Sequence, residues 1–154
     1  MGLFERLRAR ADLVPVDLRD SLEAEEIVVR HANVSTTLRF ENYHAPGRYS
    51  SLRRTRVRSA LVVTKARVAV YVRGPFVNVP YADPRFDRLD LRATDDALVI
   101  GFDPSLFDPR SSGRVDVTCR VPEPERALEW IRAERRLAGE GRLGRMEWPE
   151  GGTG

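Results

Sequence analysis

Arginine placement is the feature of this sequence that most invites a chemical reading. From Asn42 to Ala82 there is no acidic residue, while Arg48, Arg53, Arg54, Arg56, Arg58, Lys65, Arg67 and Arg73 follow one another, with His44 beside them. A guanidinium fork holds carboxylate or phosphate oxygens through two parallel hydrogen bonds. A run of such groups builds a local positive field when the side chains share a face. Arg48, Arg53, Arg54, Arg56 and Arg58 are therefore the candidate ligand-binding residues, for phosphate, anionic lipid or an acidic protein. The same run also reads as a solvated arginine-rich strand neutralised by the rest of the chain. Residues 1–77 hold 14 basic and 8 acidic groups, whereas residues 78–154 hold 12 and 15. The two readings differ in whether the guanidinium groups of residues 48–58 converge on one surface or meet carboxylates from the second half.

Other reactive side chains form no recognisable machinery. His31 and His44, the only histidines, are thirteen residues apart on a strand and a loop, and no helix brings them together. Cys119 alternates with valines, the pattern of a buried thiol, and a single cysteine makes neither an internal disulfide nor a cysteine-rich zinc site. Of the carboxylates Asp83, Asp87, Asp90, Asp95, Asp96, Asp103 and Asp108, three precede proline and two share a turn, which are structural roles. Asp87 and Asp90 differ in parity along a strand and point to opposite faces. Asp103 to Ser112 lacks the alternating oxygen ligands of a calcium loop. No glycine-rich phosphate loop and no Gly-x-Ser-x-Gly elbow is present. The expectation is a noncatalytic protein with no metal and no cofactor. Nucleic-acid phosphate binding stays as a second alternative; base stacking there would have only Tyr49 and Tyr71 near the arginines.

The elements that must position these residues follow from composition and period. With 154 residues, 42% hydrophobic and 32% charged, the chain has the composition of one globular domain. No apolar run approaches the roughly 20 residues of a membrane span. Met1 to Arg10 carries three arginines and no apolar segment, so no secretory signal is expected and the cytoplasm, or the inner face of a membrane, is the expected location. Leu3, Phe4, Leu7 and Ala11 recur at helical spacing, giving an N-terminal helical extension over residues 1–21.

From Glu26 the period is two. Strands are expected over Ile27–Tyr43, with a break near Ala32–Asn33, then over Arg53–Thr64, Arg67–Arg73, Phe76–Tyr81 and Phe86–Arg92, around Leu98–Phe102, and over Arg114–Val121. His44 to Arg48 reads as a loop on its Pro-Gly pair. Pro124 then opens a helix whose stripe is Ala127, Leu128, Ile131, Arg135 and Ala138. Gly139 stands as its C′ residue, followed by a disordered tail over 139–154. Seven short antiparallel strands before one amphipathic helix imply a barrel or sandwich corked by that helix, with Trp130 and Ile131 as the cork.

Seven strands closed by a helix is the order of pleckstrin-homology (PH) domains, and some residues match. Ala60–Leu61–Val62–Val63–Thr64–Lys65–Ala66–Arg67–Val68–Ala69–Val70–Tyr71 resembles the apolar–Thr–x–x–Arg–apolar hairpin of bacterial PH-like domains. Val79–Pro80–Tyr81–Ala82–Asp83 resembles the strand end that follows it there. Glu26–Ile27–Val28 resembles the acidic-then-apolar start of the first strand. The resemblance covers about residues 22–138. Pro84 departs from it, and so does the arginine-rich stretch between the first two strands. It implies a seven-stranded PH-like barrel or sandwich capped by a helix, and a noncatalytic binding module. Such a module contacts a protein partner or itself, an exposed sheet edge or the N-terminal helix being the expected contact. The alternative, which rests on the position of the basic run near where lipid-binding relatives place their cations, is peripheral binding of anionic lipid or phosphate through residues 48–58.

Overall fold

A computed structural model of the chain describes residues 24–152; the helical extension expected over residues 1–21 lies outside them. The strands are β1 (Ile27–Ala45), β2 (Arg48–Thr64), β3 (Arg67–Tyr71), β4 (Pro75–Pro80), β5 (Asp90–Ala93), β6 (Ala97–Phe102) and β7 (Ser112–Arg120), and the helix is α1 (Pro124–Gly152). All seven pair antiparallel in one curled, half-barrel sheet of order β4-β3-β2-β1-β7-β6-β5. The sheet stays open between its β4 and β5 ends instead of closing into a full barrel or splitting into a sandwich. Local hairpins make every pairing except β1 with β7, which joins the two halves through Thr36↔Cys119 to His44↔Ser112.

Alternation decides which face is buried. Leu38, Leu61, Val63, Val68, Val70, Leu98, Ile100, Val115, Val117 and Cys119 turn to the inner face and form one core. Helix α1 lays Leu128 and Ile131 onto it, and Ala127 is buried beside them. Trp130, expected in the cork, is 37% exposed. It borders a groove with Val28, Val29 and His31, one helical step off the buried stripe.

One hub ties the start of β1 to the β2–β3 hairpin. Thr64 Oγ1 accepts from the backbone N–H groups of Ala66 and Arg67, both at 3.0 Å, and fixes the turn. The same hydroxyl donates to Glu25 at 3.0 Å, and Glu25 holds Arg67 Nη2 at 2.7 Å. Lys65 pairs with Glu26. Tyr81, buried at the end of the β4 segment, donates its hydroxyl to the Thr64 carbonyl at 2.8 Å. Thr64, Arg67 and Tyr81 are thus joints of the scaffold.

Three expectations are corrected. The strand expected over Phe86–Arg92 is a 3-10 turn at Pro84–Arg88, followed by the short β5. Asp83 caps that turn by accepting from Arg85 N–H, and Pro84 at its first position is preset for helical φ. The loop expected over His44–Arg48 is only Pro46–Gly47. Gly47 takes φ +75°, which a type II turn requires at its second central residue, so both strands run to the tip. Gly139 does not end α1, whose backbone stays helical to Gly152. Gly139, Gly141 and Gly144 each cost the helix about 1 kcal/mol, and the strong helix formers between them, Glu140, Arg142 and Leu143, favour its continuation. The break expected near Ala32–Asn33 is present as a shift in β1–β2 register between His31 and Val34.

Candidate functional site

The five arginines singled out from the sequence all lie on the N-terminal half of β2, and all are exposed. Strand β1 pairs with β2 along its whole length, but β3 pairs only with Ala60–Val63. Among the described residues, the Arg48–Arg58 stretch therefore has a partner on one side only. In an antiparallel strand, alternate backbone N–H and C=O groups point away from the paired neighbour, so this half of β2 is an open edge more than ten residues long.

The register assigns the faces. Arg54, Arg56 and Arg58 stand opposite Arg39, Thr37 and Ser35 on the outer face of the sheet, whereas Arg53 stands opposite Phe40 on the inner face. Arg48 sits beside the hairpin turn, opposite Ala45. The five do not converge on one concavity; they line both faces of one edge. Tyr49 and Leu52, 62% and 56% exposed, stand among them, with the Tyr49 ring 4.5 Å from that of His44.

Among the described residues, no carboxylate neutralises this edge. No side chain among Arg48, Arg53, Arg54, Arg56 and Arg58 makes an ion pair or hydrogen bond with a described residue. The acids of the second half hold other cations. Asp83 holds Arg85 at 2.7 Å, Asp87 holds Arg135 at 2.6 Å, and Asp108 holds Arg110 at 3.3 Å. Asp90 and Asp116 both hold Arg114, at 2.7 and 3.0 Å. The proline-preceding aspartates also close local turns, Asp103 accepting from Ser105 N–H and Asp108 from Arg110 N–H.

Between β2 and β5 the outer face sinks into a basin of about 610 Å³. Arg54 and Arg56 form one wall, Arg92 and Arg120 approach from the other, and Arg39 and Asp116 lie between them. Arg39, Arg92 and Arg120 were not among the residues singled out above. Alternation alone puts Arg39 on the polar face of β1; its juxtaposition with Arg54 depends on the tightness of the Pro46–Gly47 turn, which composition does not reveal.

Cys119, Tyr81 and His44 are each committed or enclosed. Cys119 is fully buried against Thr36 and Ser59, and burial pushes its thiol up to about 11. Burial likewise holds the Tyr81 phenol well above its usual range. His44 Nδ1 donates to the Asn42 carbonyl at 3.0 Å. Among the described residues no three histidine, cysteine or carboxylate side chains gather as metal ligands, and no helix is long and apolar enough to cross a membrane. The chain matches no family model and no curated protein.

Proposed function

We propose that this chain is a noncatalytic, PH-like binding module that acts in the cytoplasm and docks an acidic, extended segment of a protein partner along the free half of β2. The observation that carries the reading is an open strand edge flanked by five arginines without an ion pair among the described residues. An added strand gains main-chain hydrogen bonds from the edge and specificity from alternate side chains. Its acidic residues would meet Arg54, Arg56 and Arg58 on one face and Arg53 on the other.

This two-sided arrangement favours a peptide over a membrane, because a flat anionic surface can touch only one face of a sheet at a time. It also disfavours edge-to-edge self-assembly, which would set arginine against arginine across the new pair. The seven-strand-then-helix order and the structural roles of Thr64, Arg67 and Tyr81 support a PH-like scaffold.

The test is fluorescence anisotropy with a labelled peptide alternating glutamate and valine, beside one of equal charge interrupted by prolines. The expected result is binding of the first peptide, weak binding of the second, and a loss of about tenfold or more in the Arg53→Ser/Arg54→Ser/Arg56→Ser variant. Equal binding of both peptides rejects strand pairing. Co-sedimentation with phosphatidylserine vesicles, and no peptide binding, would replace this reading by the peripheral-membrane one.

A further inference from the structure

The outer-face basin has a different design from the edge. Its cations are crowded where crowding is unfavourable: Arg39 and Arg54 are direct cross-strand partners, with Arg56 on the same face one pair along. Like charges placed opposite each other destabilise a sheet. Asp116 lies in the basin but is already held by Arg114 at 3.0 Å and by Arg92 at 3.6 Å, and Arg120 reaches Asp96 only at 3.8 Å. Most telling is Arg39. Its Nη2 lies 3.6 Å from Glu41, while its Nε is buried and has no hydrogen-bond partner among the described residues. A buried donor left unmet is a standing cost, which is removed when the partly exposed guanidinium turns outward to an acceptor in the basin.

We propose that this basin is a binding site for a phosphate group, with Arg39, Arg54 and Arg56 as its clamp and the Thr37 hydroxyl beside them. A doubly charged tetrahedral oxyanion matches the need on two counts. It supplies several acceptor oxygens to three guanidinium forks at once, and its charge relieves the Arg39–Arg54 repulsion. A single planar carboxylate offers only two oxygens. The site shares Arg54 and Arg56 with the strand edge and differs from it in two residues: Arg39, which belongs to β1, takes part, and Arg53, on the opposite face, does not.

The experiment follows the arginine Nε–H resonances by NMR while inorganic phosphate is added, with chloride at matched ionic strength as the control. The expected result is a saturable shift at Arg39, Arg54 and Arg56 that chloride does not produce, with affinity about tenfold lower in Arg39→Gln and in Arg54→Gln. Because Arg54 is exposed on an edge, its variant stays informative even if Arg39→Gln compromises folding. Arg39→Gln is expected to leave acidic-peptide binding intact, and Arg53→Ser to leave phosphate binding intact. A parallel arm adds vesicles containing phosphatidic acid. Co-sedimentation that free phosphate competes away identifies a lipid headgroup as the source; phosphate binding without co-sedimentation identifies a soluble one. Equal responses to phosphate and chloride, or unaltered phosphate affinity in the Arg54→Gln variant, would overturn the site.

Discussion

At Cys119 the surroundings set both reactivity and stability. The thiol sits on β7 beside two buried hydroxyls, Thr36 Oγ1 and Ser59 Oγ, which are 2.5 Å apart and bridge β1 to β2. Burial raises the thiol from 9.0 to about 11, while hydrogen bonds from Thr36 and Ser59 offset only part of that rise. At pH 8 the native protein then carries roughly one thiolate in a thousand, so labelling by a disulfide reagent should be limited by opening of the fold. Prompt stoichiometric labelling in native buffer would contradict this burial. The shift also carries a sign for stability. The folded state favours the protonated thiol, so the contribution is complete below pH 9 and is lost as pH rises from 9 towards 11, by at most about 3 kcal/mol. Tyr71 and Tyr81, also raised by burial, add to the same alkaline loss. Urea midpoints across this range should fall steeply in the natural chain and less steeply in Cys119→Ala.

Helix α1 divides its side chains between anchoring and display. Ile131 is fully enclosed by the inner valines, and Arg135 reaches the Tyr81 carbonyl and the Asp87 carboxylate on the 3-10 turn. Ile131→Ala should cost about 2–5 kcal/mol, and Trp130→Ala less than about 1 kcal/mol, by urea unfolding. Equal losses would mean that the tryptophan is part of the cork after all. The Ala127–Leu128–Ile131 stripe and the Pro124 start were legible because helical period and capping are local signals. Trp130 stands next to the stripe in sequence, but its angular position about 100° from Ile131 takes it off the inner face. The β2 edge was legible in composition but not in extent. Pro46–Gly47 signals a turn, yet nothing local says that strand pairing resumes at once on both sides of it. The same limit hid the Arg39–Arg54 pair, a property of register. Asp83–Pro84 signals the end of a strand, but the period-two spacing of Leu89 and Leu91 hides the 3-10 turn that comes before β5.

At the scale of the whole sheet and helix, two sets of described basic groups have opposite consequences for stability. Arg67, Arg114 and Arg135 are each held by a carboxylate at 2.7 Å or closer. Arg48, Arg53, Arg54, Arg56 and Arg58 have no such partner among the described residues and stand close together on one edge. A cation with no counter-charge contributes only repulsion to the folded state, and that repulsion is screened as salt rises. Arg54→Ser/Arg56→Ser should therefore leave the unfolding free energy from urea titration unchanged or raise it, by up to about 1 kcal/mol, because it removes the like-charge contact with Arg39. Arg114→Ser should lower it by about 1 kcal/mol, since the Asp90 pair it breaks is more than a third exposed and the more enclosed Asp116 keeps Arg92 at 3.6 Å. Salt should discriminate further: the gap between the Arg54→Ser/Arg56→Ser variant and the natural chain should narrow as added sodium chloride screens the edge. If removing Arg54 and Arg56 instead destabilises the protein as much as removing Arg114, those side chains are doing structural work, and a binding role for the strand loses its premise. If stability holds while acidic-peptide and phosphate binding both fall, the fold is carrying an electrostatic strain that a ligand relieves, which is the signature expected of a surface kept for binding rather than for folding.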